Sequence, residues 1–141
     1  MKNIDKKDLK EIIQSGHINL LIGSGCSSDY LPTLGDIENR MNDKATKDAA
    51  QRDYYEIIKK STAIINELLE TDSVEKQNLT NAKEKYENFL TFWAKTISSR
   101  SLQILNKQVN IFTTNFDLFI EDSCERMSIP YNDGFIGQIN R

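Results

Sequence analysis

Histidine is almost missing from this chain. His17 is the only one, and Cys26 and Cys124 are the only cysteines. Three such residues without a C-x-x-C pair cannot build a four-ligand structural zinc site, so no metal is expected. His17 opens an apolar stretch and reads as structural or solvent-facing rather than catalytic. A disulfide between the two cysteines is not expected in a chain with cytosolic character. Proline and glycine are absent from everything between Gly35 and Ile129, which suits a long helical stretch. No apolar run approaches the ~18 residues that a membrane helix needs. Residues 1–10 are charged, unlike a signal peptide, so a cytoplasmic location and no membrane partner are expected. Eighteen basic against twenty-one acidic residues give a net charge of −3. That balance offers no footprint for nucleic acid.

What is present is an ordinary globular composition, 38% apolar and 28% charged over 141 residues. It corresponds to one domain or part of one, and a chain of this size can bury roughly two-thirds of its unfolded surface. Asp5 is placed to cap a first helix, with Ile4 and Leu9 as a hydrophobic staple. Leu9, Ile12 and Ile13 supply its apolar side, and Gly16 stands where a left-handed terminating residue is wanted. The run Ile18-Asn19-Leu20-Leu21-Ile22 predicts a strand buried on both faces, ending at Gly23.

A short helix is expected from about Leu34 to Met41, then a polar loop or frayed helix start over 43–52. Tyr54, Ile57, Ile58, Ile64, Ile65, Leu68 and Leu69 fall at helical spacing. Asp72 and Glu75 resemble a capping pair for another helix. Its stripe is Leu79, Ala82, Tyr86, Phe89, Leu90, Trp93 and Ile97, with Ile104 and Leu105 as an extension. Val109 to Thr113 reads as a second buried strand. Asn115 to Met127 reads as a helix with Phe116, Phe119, Ile120, Cys124 and Met127 on one side, stopped by Pro130. Strands this far apart with helices between them imply a parallel sheet covered by helices. Two strands are fewer than a covered sheet normally has, so the chain is expected to be an incomplete domain.

Two segments carry candidate chemistry, each directly after a strand. In Gly23-Ser24-Gly25-Cys26-Ser27-Ser28 the glycines allow a sharp turn and close approach to a ligand. Amides in such a turn, beside a helix start, can hold a diphosphate. The local alternative is a tight strand-to-helix turn, because the third glycine of the dinucleotide fingerprint is missing. In Thr113-Thr114-Asn115-Phe116-Asp117, polar side chains at the carboxyl end of a parallel strand point to the crevice where such sheets bind ligands. The local alternative is helix capping.

Together these residues resemble a known family. Gly23-Ser24-Gly25-Cys26-Ser27 followed by Leu31-Pro32-Thr33-Leu34 is similar to the opening pattern of sirtuin-like NAD-binding domains. Thr113-Thr114-Asn115-Phe116-Asp117 resembles the asparagine motif of their bacterial branch. Glu121, Tyr131 and Asp133-Gly134-Phe135 resemble the segment immediately downstream of that motif in the same branch. The likeness covers roughly half the chain. It implies an α/β fold with a Rossmann-like parallel sheet, residues 1–141 being the N-terminal part of a single domain with a helical insertion at about 43–107. By that resemblance Gly23, Ser24, Gly25 and Ser27 face the diphosphate and adjacent ribose of NAD. Asn115 is the catalytic residue at the nicotinamide ribose, and Thr114 and Asp117 complete the cofactor site, Asp117 at the carboxamide.

Family members remove acyl groups from lysines or cleave NAD to nicotinamide and an ADP-ribose product. Both reactions need support for an oxocarbenium-like centre. The deacylases carry glutamine where this chain has Thr114, and a four-cysteine zinc module that this chain lacks. That favours the NAD-hydrolase branch, many of whose members act in bacterial defence against phage. The family's catalytic histidine lies downstream of the asparagine motif, whereas no histidine comes after Asp117 here, so the segment alone is expected to be inactive. The alternatives are a non-catalytic module that binds NAD or ADP-ribose, or a helical module that assembles with partners, further domains or a second copy.

Overall fold

The computed structural model describes residues 5–66, 73–100 and 107–134. The order is α1 (Lys6–Ser15), β1 (Ile18–Ile22), a 3₁₀ turn (Ser24–Ser27), α2 (Gly35–Asn42), α3 (Lys47–Asn66), α4 (Ser73–Ser98), β2 (Val109–Thr113) and α5 (Phe119–Arg126). The described protein is thus mixed α/β, mostly helical, with one two-stranded parallel sheet.

Helix α1 starts as its sequence predicts. The Asp5 carboxylate accepts the N–H groups of Lys7 and Asp8, both at 2.8 Å, which satisfies two donors that the first turn leaves orphaned. Ile4 lies outside the described residues. The end differs from expectation: Gly16 is extended (φ −98°) rather than left-handed. Glycine is needed there because an added Cβ would sit 2.8 Å from the carbonyl oxygen of Ile12. The buried Arg100 ties this end down, donating to the carbonyls of Ile13 (2.6 Å) and Gly16 (2.9 Å). Leu9 and Ile12 stay exposed, so the apolar side of α1 is not buried.

β1 and β2 pair in parallel with Ile18 opposite Val109 and Ile22 opposite Thr113, and the Thr114 N–H extends the ladder to the Ile22 carbonyl at 3.2 Å. Burial on both faces is not observed. Leu21 and its register partner Phe112 remain 78% and 57% exposed. Side chains alternate across a strand, so only the face carrying Leu20 and Ile22 turns inward. No described element covers the other.

The core lies among the helices instead. Tyr30, Leu31, Ile37, Ala50, Ile57, Ile64, Ala82, Tyr86 and Phe119 form it. Ala50, Ile57 and Ile64 recur at seven-residue spacing along α3, which keeps them on one side of the helix. Phe119 is fully buried, stacked on Tyr86 (5.0 Å between centroids) and edge-on to Tyr30 (6.1 Å). α2 packs on α3 and α4 on α5, so the region from 43 to 107 shares its core with the flanking motifs. α3 begins at Lys47, inside the stretch where a loop or frayed start is expected. Leu68, Leu69, Asp72, Ile104, Leu105 and Phe135 lie outside the described residues.

α5 begins at Phe119, not at Asn115, and Phe116 is exposed. The side chains of Thr113, Asn115 and Asp117 are engaged in other bonds, and the Asp117 carboxylate accepts the Phe119 N–H at 3.3 Å. The helix also stops before Pro130. Ser128 takes a left-handed conformation (φ 55°), its N–H bonds the Glu125 carbonyl, and the Ile129 N–H bonds the Cys124 carbonyl at 2.8 Å. That crossed pair is the usual left-handed helix ending, here without glycine.

Candidate functional site

The parallel register brings both motif segments to the carboxyl edge of the sheet. The Gly23 turn leaves β1 and Thr114 leaves β2 at the same level. Gly23, Ser24, Gly25, Cys26 and Thr114 are exposed there. The turn is a single 3₁₀ turn, closed by the Cys26 N–H on the Gly23 carbonyl at 3.0 Å. The Ser28 hydroxyl folds back onto the Gly25 carbonyl at 2.9 Å. A Cβ at Gly23 or Gly25 would meet nothing within 4 Å, so open space borders the turn.

Ser27 is the hub of the site and is only 1% exposed. Its Oγ lies 2.7 Å from Asp117 Oδ2, 2.8 Å from the Tyr86 hydroxyl and 3.3 Å from Asn115 Nδ2. An ionised carboxylate only accepts, so Ser27 donates its proton to Asp117. Tyr86 must then donate to Ser27, as Asn115 does. One donated and two accepted bonds use the whole capacity of a hydroxyl. Ser27 therefore spends its hydrogen bonds within the protein.

Asn115 joins the two segments. Its Nδ2 also donates to the Gly23 carbonyl at 3.2 Å, and its backbone N–H is held by Thr113 Oγ1 at 3.0 Å. The side-chain oxygen is buried and has no hydrogen-bond partner among the described residues. A buried acceptor left unpaired costs about 1–3 kcal/mol. A bound donor would relieve that cost.

Helical spacing does not single out Tyr86. It stands there as one member of an apolar stripe, and it does join the core with its ring on Phe119. Its hydroxyl nevertheless reaches the site from α4. The available signal is chemical: a tyrosine buried on an apolar stripe needs a partner for its O–H. Burial, chiefly, and the Asp117 charge push the Tyr86 hydroxyl up to about 12, against the opposing bond with Ser27. It remains a proton donor through the neutral range.

Glu121, at the start of α5, sits in the field of Asp117 and Asp133. Burial foremost, and then those charges, raise its carboxyl above the usual range. Its Oε2 is buried and unpaired among the described residues. Beside the turn, a groove of about 330 Å³ is lined by Leu20, Leu21 and Ile22 of β1, Cys26, and Lys85, Tyr86 and Phe89 of α4. Lys85 is paired with Asp29.

His17 lies at the amino end of β1, away from all of this. The intervening five-residue strand puts it six steps from Gly23, roughly 20 Å at about 3.3 Å per residue. Both cysteines are free, Cys26 exposed and Cys124 buried. No group of three or more His, Cys, Asp or Glu residues could hold a metal ion among the described residues. Among them, too, no helix is long and apolar enough to cross a membrane. No known protein family, curated protein or solved structure matches the chain.

Proposed function

We propose that this chain is the NAD-binding segment of a sirtuin-like NAD-hydrolase with a Rossmann-like sheet, serving bacterial defence against phage. The observation that carries the reading is the junction of the two motif segments through Asn115, with its side-chain oxygen held buried and unpaired. In this reading the exposed amides of Gly23, Ser24 and Gly25 receive the diphosphate, and Ser27 fixes the turn from beneath. Asn115 offers its free acceptor to a ribose hydroxyl, and Thr114 and Asp117 border the nicotinamide end. NAD is the substrate, and no metal takes part.

Cleavage of the glycosidic bond also needs a group that engages the ribose hydroxyls. The one imidazole of these residues stands at the opposite edge of the sheet. Binding without turnover is therefore the expected behaviour of the 141-residue chain, and the same observation favours, as a second reading, a module that only binds NAD or ADP-ribose. Titration calorimetry with NAD and with ADP-ribose tests both, alongside a nicotinamide-release assay. Saturable binding of NAD that Asn115→Ala abolishes supports the site. Absence of binding by either nucleotide would sink it, and nicotinamide release by the chain alone would overturn the role given to the missing imidazole.

A further inference from the structure

We infer that Tyr86 is a positioning residue of the nucleotide site, acting through Ser27 on Asn115 and Asp117. The inference rests on the NAD-binding reading for its ligand, but the device itself stands on geometry within the free protein. The hydroxyl of Tyr86 comes from the middle of α4, 59 residues along the chain from Ser27. It donates to an oxygen that already donates to Asp117 at 2.7 Å. Because Ser27 has one proton and gives it to the carboxylate, the chain runs Tyr86 to Ser27 to Asp117, and Tyr86 fills one of the two lone pairs of Ser27.

With Tyr86 in place, the second lone pair of Ser27 is the one left for Asn115 Nδ2, at 3.3 Å. The amide of Asn115 is thereby oriented, with nitrogen toward Ser27 and Gly23 and oxygen toward the unpaired position. Remove the Tyr86 hydroxyl and Ser27 has a free lone pair. The Asn115 Nδ2 can then shift between the two lone pairs while keeping its bond to the Gly23 carbonyl, and the amide oxygen is no longer held at one position for a ligand. The stack of Tyr86 on Phe119 makes the ring a fixed base for this hydroxyl. The helical region between the strands thus supplies a working part of the site as well as core.

Tyr86→Phe keeps the ring and removes only the hydroxyl, so it separates the two roles. Tyr54→Phe, on an exposed face of α3, is the control. The measurements are melting temperature, ¹H–¹⁵N spectra of the Asn115 side-chain amide without ligand, and NAD affinity by calorimetry. The expected result for Tyr86→Phe is a melting temperature near that of the parent, displaced Asn115 amide signals, and NAD binding weakened about tenfold, as for one lost hydrogen bond. Tyr54→Phe should change none of these.

Ser27→Ala should give the same Asn115 displacement, and the double variant should bind NAD no more weakly than Ser27→Ala alone, since residues acting through one network are not additive. Additive losses, unmoved Asn115 signals, or a Tyr86→Phe protein that melts far below the parent would each overturn the proposal. Failure of the parent chain to bind NAD overturns the functional reading, and the ligand-free Asn115 signals of Tyr86→Phe then decide the positioning role: displaced signals uphold it and unmoved signals end it.

Discussion

Ser27 and Asp117 stand 90 positions apart and share a 2.7 Å hydrogen bond. Each has a second duty that makes the bond informative. Ser27 closes the turn after β1 by accepting the N–H groups of Tyr30 and Leu31 at its carbonyl. Asp117 accepts the Phe119 N–H with its other oxygen. The local role of Asp117 at the helix start and its role in the site are therefore both present, on separate oxygens of one carboxylate. The geometry of the turn after β1 is locked to the start of α5, so a change at either end reaches the other through one contact.

Phe112 and Phe119 should respond oppositely to truncation. Phe119 is fully enclosed between Tyr30 and Tyr86, so Phe119→Ala should cost about 3–5 kcal/mol. Phe112 is largely exposed, and Phe112→Ala should stay within about 0.5 kcal/mol, as surface substitutions do. Urea denaturation of both variants gives the comparison. A loss of several kcal/mol at Phe112 would mean that the open face of the sheet is covered in solution.

Ser128→Gly should stabilise the chain by roughly 0.5–1 kcal/mol. The left-handed backbone at Ser128 (φ 55°) strains an L-residue by about 1–2 kcal/mol, which glycine avoids, less the extra freedom glycine gains when unfolded. Thermal melts should show a rise of a few degrees. An unchanged or lowered melting temperature would mean that the serine side chain offsets the strain.

Ser123→Ala should be neutral or stabilising by up to about 1 kcal/mol. The Ser123 hydroxyl is fully buried and unpaired among the described residues, and an unmatched polar group inside a protein is a net cost. Chemical denaturation measures it. A destabilisation beyond about 1 kcal/mol would show that the hydroxyl is bonded in solution.

Glu121→Gln should stabilise near pH 7, with the advantage shrinking as pH falls. Burial and the neighbouring carboxylates raise the folded-state pKa of Glu121 above its unfolded value. Between those two values the folded chain holds more protons than the unfolded one, so stability falls as pH rises. The Glu121 contribution is fully present below the unfolded pKa of about 4.3 and is lost as pH passes the raised folded value. Glutamine is uncharged and skips the penalty. Melting temperatures of the two proteins from pH 4 to pH 8 should diverge upward, and parallel curves would contradict the assignment.

Local chemistry made several features legible from the sequence. Asp5 caps α1 because its carboxylate reaches two amides within three residues, a purely local matter. The runs Ile18–Ile22 and Val109–Thr113 became strands in parallel, as the helices between them require. Both motif segments lie where the ends of those strands put them. These features depend on spacing and on near neighbours, which a sequence carries directly.

Tertiary packing decided the rest. The apolar runs of β1 and β2 state how hydrophobic the strands are but not how many elements lie over them, so the exposure of Leu21 and Phe112 is not written in them. The apolar spacing of Phe116 with Phe119 and Ile120 suggests a helix from Asn115, yet bonds from the Asn115 and Asp117 side chains to residues about 90 positions away compete with it, and the helix starts at Phe119. Tyr86 has the same spacing as its apolar neighbours on α4, and only the approach of that helix to the turn after β1 turns its hydroxyl into part of the site. A hydrogen bond across such a distance depends on how the helices pack, and no local pattern encodes it.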